Sequence, residues 1–204
     1  MFLIDKVFQA LIFAADKHKN QRRKDLENTP YINHPIEVAN FLIKHGITDS
    51  NIIICALLHD TIEDTNTSFE EIKELFGEEI ALTVRDCTDN KKLDKITRKK
   101  EQIEHAKYIR NNAKLVKLAD KYSNISMLAI NPPSKWSPEE IIGYTHWGYA
   151  VCKNLFGINE KIDKTVSDMF KSYNISENNL LDEVNKYYSL LESQQLRKFV
   201  NYMS

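Results

Sequence analysis

Apolar residues in this chain recur three and four positions apart almost throughout, and no stretch alternates cleanly between apolar and polar. The first spacing belongs to helices and the second to strands. Breakers are scarce, with five glycines and five prolines in 204 residues. The pattern predicts an all-α fold of about nine or ten helices in one globular domain. Val7, Leu11, Ala14 and His18 form a first stripe, and Asn33-His34-Pro35 can cap and open a second helix that ends near Gly46. Asp49-Ser50 starts a third. Thr67-Ser68-Phe69-Glu70-Glu71 offers a capping box in two registers, before a helix that stops at Gly77. Further helices are expected over 78–88, 97–110 and 112–130. Ser137-Pro138-Glu139-Glu140 opens another, running to about Phe156, and one more covers 159–172. A tail over 177–202 keeps helical spacing through Leu181, Val184, Tyr188 and Leu191.

Net charge is −1, which argues against a whole-protein field for nucleic acid or membrane. Local charge is different. Arg22, Arg23 and Lys24 cluster, as do Lys91, Lys92, Lys95, Arg98, Lys99 and Lys100, and then Lys114, Lys117 and Lys121. Each alone is an ordinary solvated face; together, flanking the residues below, they fit an anionic substrate. Cys55, Cys87 and Cys152 are scattered and odd in number, so reduced thiols are expected. No apolar run reaches a membrane span, the N-terminal stretch lacks a signal-peptide pattern, and a cytoplasmic protein is expected.

The segment LLHDTIEDT (57–65) sets His59, Asp60, Glu63 and Asp64 directly behind the apolar run Ile52–Leu58. Charge at the edge of a core is costly unless paired or bound to a metal. The helix is expected to end near Asp60, with the next turn carrying Glu63 and Asp64 into the same cleft. A neighbouring His–Asp pair suits borderline divalent ions such as Mn²⁺, Fe²⁺ and Zn²⁺. Taken alone, it is more often a charged helix end. Two further segments change this. His34 stands in YINHP at a helix start, and KLVKLADKYSNISML sets Lys117, Asp120 and Asn124 in one polar strip beside the stripe Leu115, Leu118, Tyr122, Ile125, Leu128. The bland alternatives are a capping histidine and an exposed Lys–Asp pair of little energetic worth.

These motifs, KHKNQRRKDLENTPYINHP (17–35), ALLHDTIEDT (56–65), FGEEI (76–80) and AKLVKLADKYSNI (113–125), resemble the HD-domain metal phosphohydrolases. Within them the match is to the pyrophosphohydrolase domain of RelA/SpoT-type alarmone enzymes, above all the small single-domain metazoan SpoT homologs. The resemblance covers about residues 5–172. It implies the all-α HD fold over 1–175, with 176–204 a C-terminal helical extension. It implies one Mn²⁺ held by His34, His59, Asp60 and Asp120, with Glu63 and Asp64 as catalytic acids beside it. Arg23, Lys24 and Asn124 would line the nucleotide and pyrophosphate pocket, and Lys95 and Tyr144 transfer from more variable stretches.

The activity so implied is hydrolysis of (p)ppGpp to GDP or GTP and pyrophosphate. Alternatives are removal of the 2′-phosphate of NADPH and a non-catalytic nucleotide-sensing module. The expected partner is a small nucleotide, (p)ppGpp or NADPH, with no nucleic acid and no membrane; oligomeric state is left open.

Overall fold

The computed structural model describes residues 3–203, with side chains over 4–197, so the outermost positions of the two expected ranges (1–2 and 204) lie outside the described residues. The chain runs α1 (Leu3–His18), α2 (Asn33–Lys44), α3 (Ser50–Leu58), the single turn α4 (Thr61–Asp64), α5 (Phe69–Phe76) and α6 (Glu78–Cys87). It continues through α7 (Lys95–His105), α8 (Asn111–Ser126) with a 3₁₀ turn at Met127–Ala129, α9 (Pro138–Cys152), α10 (Glu160–Ser172) and α11 (Leu180–Met203). Among the described residues there is no strand, only an isolated bridge between Arg22 and Pro30.

The centre is α3. Ile52, Ile53, Ile54, Cys55, Ala56, Leu57 and Leu58 are all buried. A helix apolar on every side must be covered on every side, and α1, α2, α6 and α8 cover it. Its start is set by Asp49, which accepts from the Asn51 N–H at 2.8 Å. The second central helix, α8, packs on α2, α3, α6, α9 and α10 and brings polar residues into the interior with it.

The local signals act as their chemistry requires, with exceptions. Ser137 and Glu140 form the full capping box of α9, with Pro138 inside the first turn. At α5 only Ser68 caps, accepting from Glu71 N–H at 3.0 Å; the Glu71 carboxylate takes Lys17 instead. The expected cap at Asn33 is not made: Ile32 holds the cap position without a side-chain bond, and Asn33 is already helical. In the tail, Leu181 is 73% exposed, and the stripe facing inward is Leu180, Val184, Tyr187, Tyr188 and Leu191. The shift by one position follows from the face α11 turns toward α9 and α7. Cys55, Cys87 and Cys152 are free and buried.

Candidate active site

Three helices meet at one end of α3. The last carbonyls of a helix have no partner within it, and here they are used. Thr61 Oγ1 donates to Leu58 O at 2.7 Å, and His59 Nδ1–H donates to Ala56 O at 2.7 Å. The second bond fixes the His59 tautomer, leaving Nε2 as the free nitrogen of the ring. His34, in the first turn of α2, is held likewise. Ser123 Oγ donates to Glu37 at 3.0 Å and so accepts from His34 Nδ1–H at 3.1 Å. Both rings therefore present Nε2 inward, with the other nitrogen anchored by a hydrogen bond, as metal-ligating histidines are.

Those nitrogens face carboxylates. His34 Nε2 is 3.1 Å from Asp120 Oδ1 and 3.7 Å from Asp60 Oδ2, and His59 Nε2 is 3.0 Å from Asp60 Oδ2 and 3.9 Å from Asp120 Oδ1. Ligand atoms of His34, His59 and Asp120 all lie within 4.8 Å of one another. His59 Nε2 is buried with no well-formed hydrogen bond. Lone pairs set against carboxylate oxygens in a buried space repel unless a cation lies between them. Two imidazole nitrogens and the Asp120 carboxylate, with Asp60 Oδ2 near both rings but outside that group, offer the donor types that a borderline divalent ion takes. Without an ion, a proton serves. Burial disfavours charge on His59, but Asp60 and then Asp120 outweigh it and push its pKa up to about 9. Burial would raise Asp60, but the charge and hydrogen bond of His59 hold it well below the usual carboxylate range. Asp120 is held low against burial by Lys121, which donates to its Oδ2 at 2.7 Å, and by His34.

Beside this centre stand Glu63 and Asp64 on the single turn α4. Glu63 accepts from Asp89 N–H at 2.9 Å, yet burial and the Asp89 charge push its pKa up to about 7. Asp64 takes Lys91 at 2.6 Å, and Lys91 is also 3.5 Å from Glu63. Tyr31 donates to Asp60 Oδ2 at 2.6 Å. These groups enclose a pocket of about 170 Å³. Through Tyr31, Asp64 and Asn124 it joins a cleft of about 490 Å³ lined by Arg23, Lys24, Trp136 and Tyr144, among others. Asn124 links the two, donating to Asp120 Oδ1 at 2.6 Å and accepting from Arg23 at 3.0 Å.

Of the residues singled out in the sequence, His34, His59, Asp60, Glu63, Asp64, Asp120 and Asn124 converge at the candidate metal pocket and its mouth, and Arg23, Lys24 and Tyr144 line the adjoining cleft. Lys95 lies in neither, but in a basic depression beyond the cleft. Lys117 is not the exposed partner of Asp120. It is buried, lines the metal pocket and donates to Cys87 O at 3.2 Å, while Lys121 takes the ion pair. The pairing follows from direction: Lys121 adjoins Asp120, whereas Lys117 is turned toward the end of α6. Sequence reading missed Tyr31, Lys121, Ser123 and Lys91 as site residues. Tyr31 and Ser123 sit inside the quoted motifs, so proximity was their one available signal.

The HD domain family model matches residues 10–140. The guanosine-3′,5′-bis(diphosphate) 3′-pyrophosphohydrolase MESH1 of Xenopus tropicalis is 47% identical over 171 residues, covering 83% of this chain and 96% of the frog protein. The Homo sapiens protein of the same name is 44% identical over 167 residues, 81% of this chain and 93% of its own. A solved structure described as a metazoan ortholog of SpoT that hydrolyzes ppGpp and plays a role in starvation responses superposes with a TM-score of 0.81 at 41% identity. That match covers 84% of this chain and 97% of the other. Matched by that family model over more than half of its length, and 44–47% identical to these relatives over most of both chains, this chain belongs to the HD-domain family, in its MESH1 branch.

Proposed function

We propose that the chain hydrolyses guanosine 3′,5′-bis(diphosphate), and its 5′-triphosphate form, to GDP or GTP and pyrophosphate, with Mn²⁺ as its ion. The observation that carries this is the joining of a metal-ligand pocket to a basic cleft of nucleotide size. The names of the MESH1 relatives support it.

His34, His59, Asp60 and Asp120 hold one divalent ion. When bound, the ion offsets phosphoryl charge and makes water a usable nucleophile near neutral pH. In the reaction the water oxygen bonds to the phosphorus next to ribose O3′, the P–O3′ bond breaks, and pyrophosphate leaves as O3′ takes a proton. Glu63, with its pKa near neutrality, takes the proton of the attacking water. Asp64, tied to Lys91, orients that water from the other side. Arg23 and Lys24 neutralise the substrate phosphates, Arg23 by a two-pronged contact. Arg23 Nη1 is buried without a partner, as a donor awaiting an acceptor would be. Asn124 couples that arginine to Asp120. Tyr144 walls the cleft, and Lys95 adds charge beyond it. A cytoplasmic location is part of this proposal; no described helix is long and apolar enough to cross a membrane.

The test offers the alarmone and NADPH side by side to protein stripped and reloaded with Mn²⁺, with a Glu63→Ala/Asp64→Ala control. Pyrophosphate release from the alarmone, absent in the control, is the expected result. Phosphate release from NADPH at a higher kcat/KM would replace the proposed substrate. No turnover of either would overturn the reading.

A further inference from the structure

Beyond the cleft lies a depression of about 720 Å³. It shares Arg22, Arg23, Lys24 and Trp136 with the cleft but no residue with the metal pocket. The three spaces therefore lie in series, metal at one end. Arg22, Arg23, Lys24, Lys95, Lys135 and Arg197 line the far one against two acids, Asp25 and Glu140. Both acids are engaged by backbone: Asp25 accepts from Thr29 N–H at 3.1 Å and Glu140 from Ser137 N–H at 3.0 Å. Lys24, Lys135 and Arg197 make no ion pair among the described residues. Six cations against two acids leave an excess of positive charge in a concave space, which attracts polyanions.

One wall comes from α11. Its inward stripe, Leu180, Val184, Tyr187 and Leu191, is apolar where it lies on α9. The next position of that stripe is Gln194, and Arg197 follows three residues on; both line the basic depression. The register of α11 is set by Gly143, where a Cβ would lie 2.5 Å from the Tyr187 ring. The relatives that match most of this chain leave about a sixth of it without a counterpart.

Resting on the function proposed above, we infer that α11 is an added wall of the substrate site. Arg197, with Gln194, binds the 5′-phosphates of the nucleotide while its 3′-diphosphate lies at the metal. A substrate with phosphates at both ends of the nucleoside matches the serial order of the spaces. Arg197 touches neither ion nor scissile bond, so it acts on binding and not on the chemical step.

The experiment uses the full chain loaded with Mn²⁺. KM and kcat are measured for the 5′-diphosphate and 5′-triphosphate alarmones, and inorganic tripolyphosphate affinity by calorimetry, for wild type, Arg197→Ala and Arg197→Lys. Loss of one charge-assisted contact predicts a rise in KM of roughly five- to tenfold in Arg197→Ala, with kcat within about twofold. Tripolyphosphate binding weakens by a similar factor, and Arg197→Lys retains most of both. Unchanged KM and unchanged tripolyphosphate affinity in Arg197→Ala would overturn the inference, as would a fall in kcat alone. If wild type turned over no alarmone while Arg197→Ala still lost tripolyphosphate affinity, the proposed substrate would fail and the α11 anion site would stand.

Discussion

The His/Asp pocket and the basic depression, at opposite ends of three adjoining spaces, are built on opposite rules. At the His/Asp pocket the two histidines are buried, the two aspartates half-buried, and each is held: His34 by Ser123, His59 by a carbonyl, Asp60 by Tyr31, Asp120 by Lys121 and Asn124. At the basic end, cations from the segment 22–24, from α7, from the segment before α9 and from α11 line an open space, several of them solvated. Position matters at the first end and total charge at the second. A reacting phosphorus must be met within tenths of an ångström, whereas a solvated phosphate needs only a field.

That contrast can be broken or sharpened by substitution. Asp120→Ala should have the largest effect: Mn²⁺ content falls to background and turnover drops by roughly 10⁴-fold or more. Retained metal by elemental assay, with retained rate, would remove the ligand model. Glu63→Gln should lower kcat by roughly 10²- to 10³-fold with metal content intact, since it removes only a proton acceptor. Equal loss of metal would instead make Glu63 a ligand.

The pH dependence of stability isolates His59. Its folded pKa of about 9 is above the ordinary histidine value of 6.5, so in metal-free protein the stabilisation is complete below about pH 6.5. It is lost as pH rises through 9. Metal-loaded protein should be flat over that window, because the ion replaces the proton. Thermal melts of both forms at several pH values compare them directly, and parallel curves would contradict the assignment. Ser123→Ala frees the His34 ring and should weaken Mn²⁺ by about tenfold or somewhat more. Lys24→Ala, at the solvated end, should raise KM by about three- to fivefold, an effect that shrinks with added salt. A salt-independent change there would mean that the basic end too works by geometry.

The same contrast governs what the sequence made legible. Ile52–Leu58 marked a segment covered on all sides, and His59-Asp60 at its end became more than a charged helix end only beside the His34 and Asp120 segments. The fold class followed from the helical spacing, while the full ligand set was only implied by the resemblance of the four motifs. Lys121 escaped because nothing in its spacing separates it from Lys114 or Lys117; only the packing of α8 decides which ammonium meets Asp120. Tyr31 escaped because a tyrosine near a helix start is common, and its hydroxyl acquires meaning only 2.6 Å from Asp60. Leu181 was misplaced because adjacent leucines at 180 and 181 satisfy the period equally well until α9 selects one. The basic depression was illegible as a unit, since its residues come from four separated segments.

His34 and Asp120 are 86 positions apart in sequence and stand on α2 and α8, with His59 and Asp60 in the turn between α3 and α4. An ion held by all of them, as proposed above, would be a cross-link as well as a cofactor. It closes long loops of chain, and closing such loops removes freedom from the unfolded ensemble, as a disulfide does. Among the described residues this protein has three buried thiols and no disulfide. On the ligand set proposed above, the tie between α2, the end of α3 and α8 would be reversible, and the supply of the ion would also set how tightly they are bound into one body.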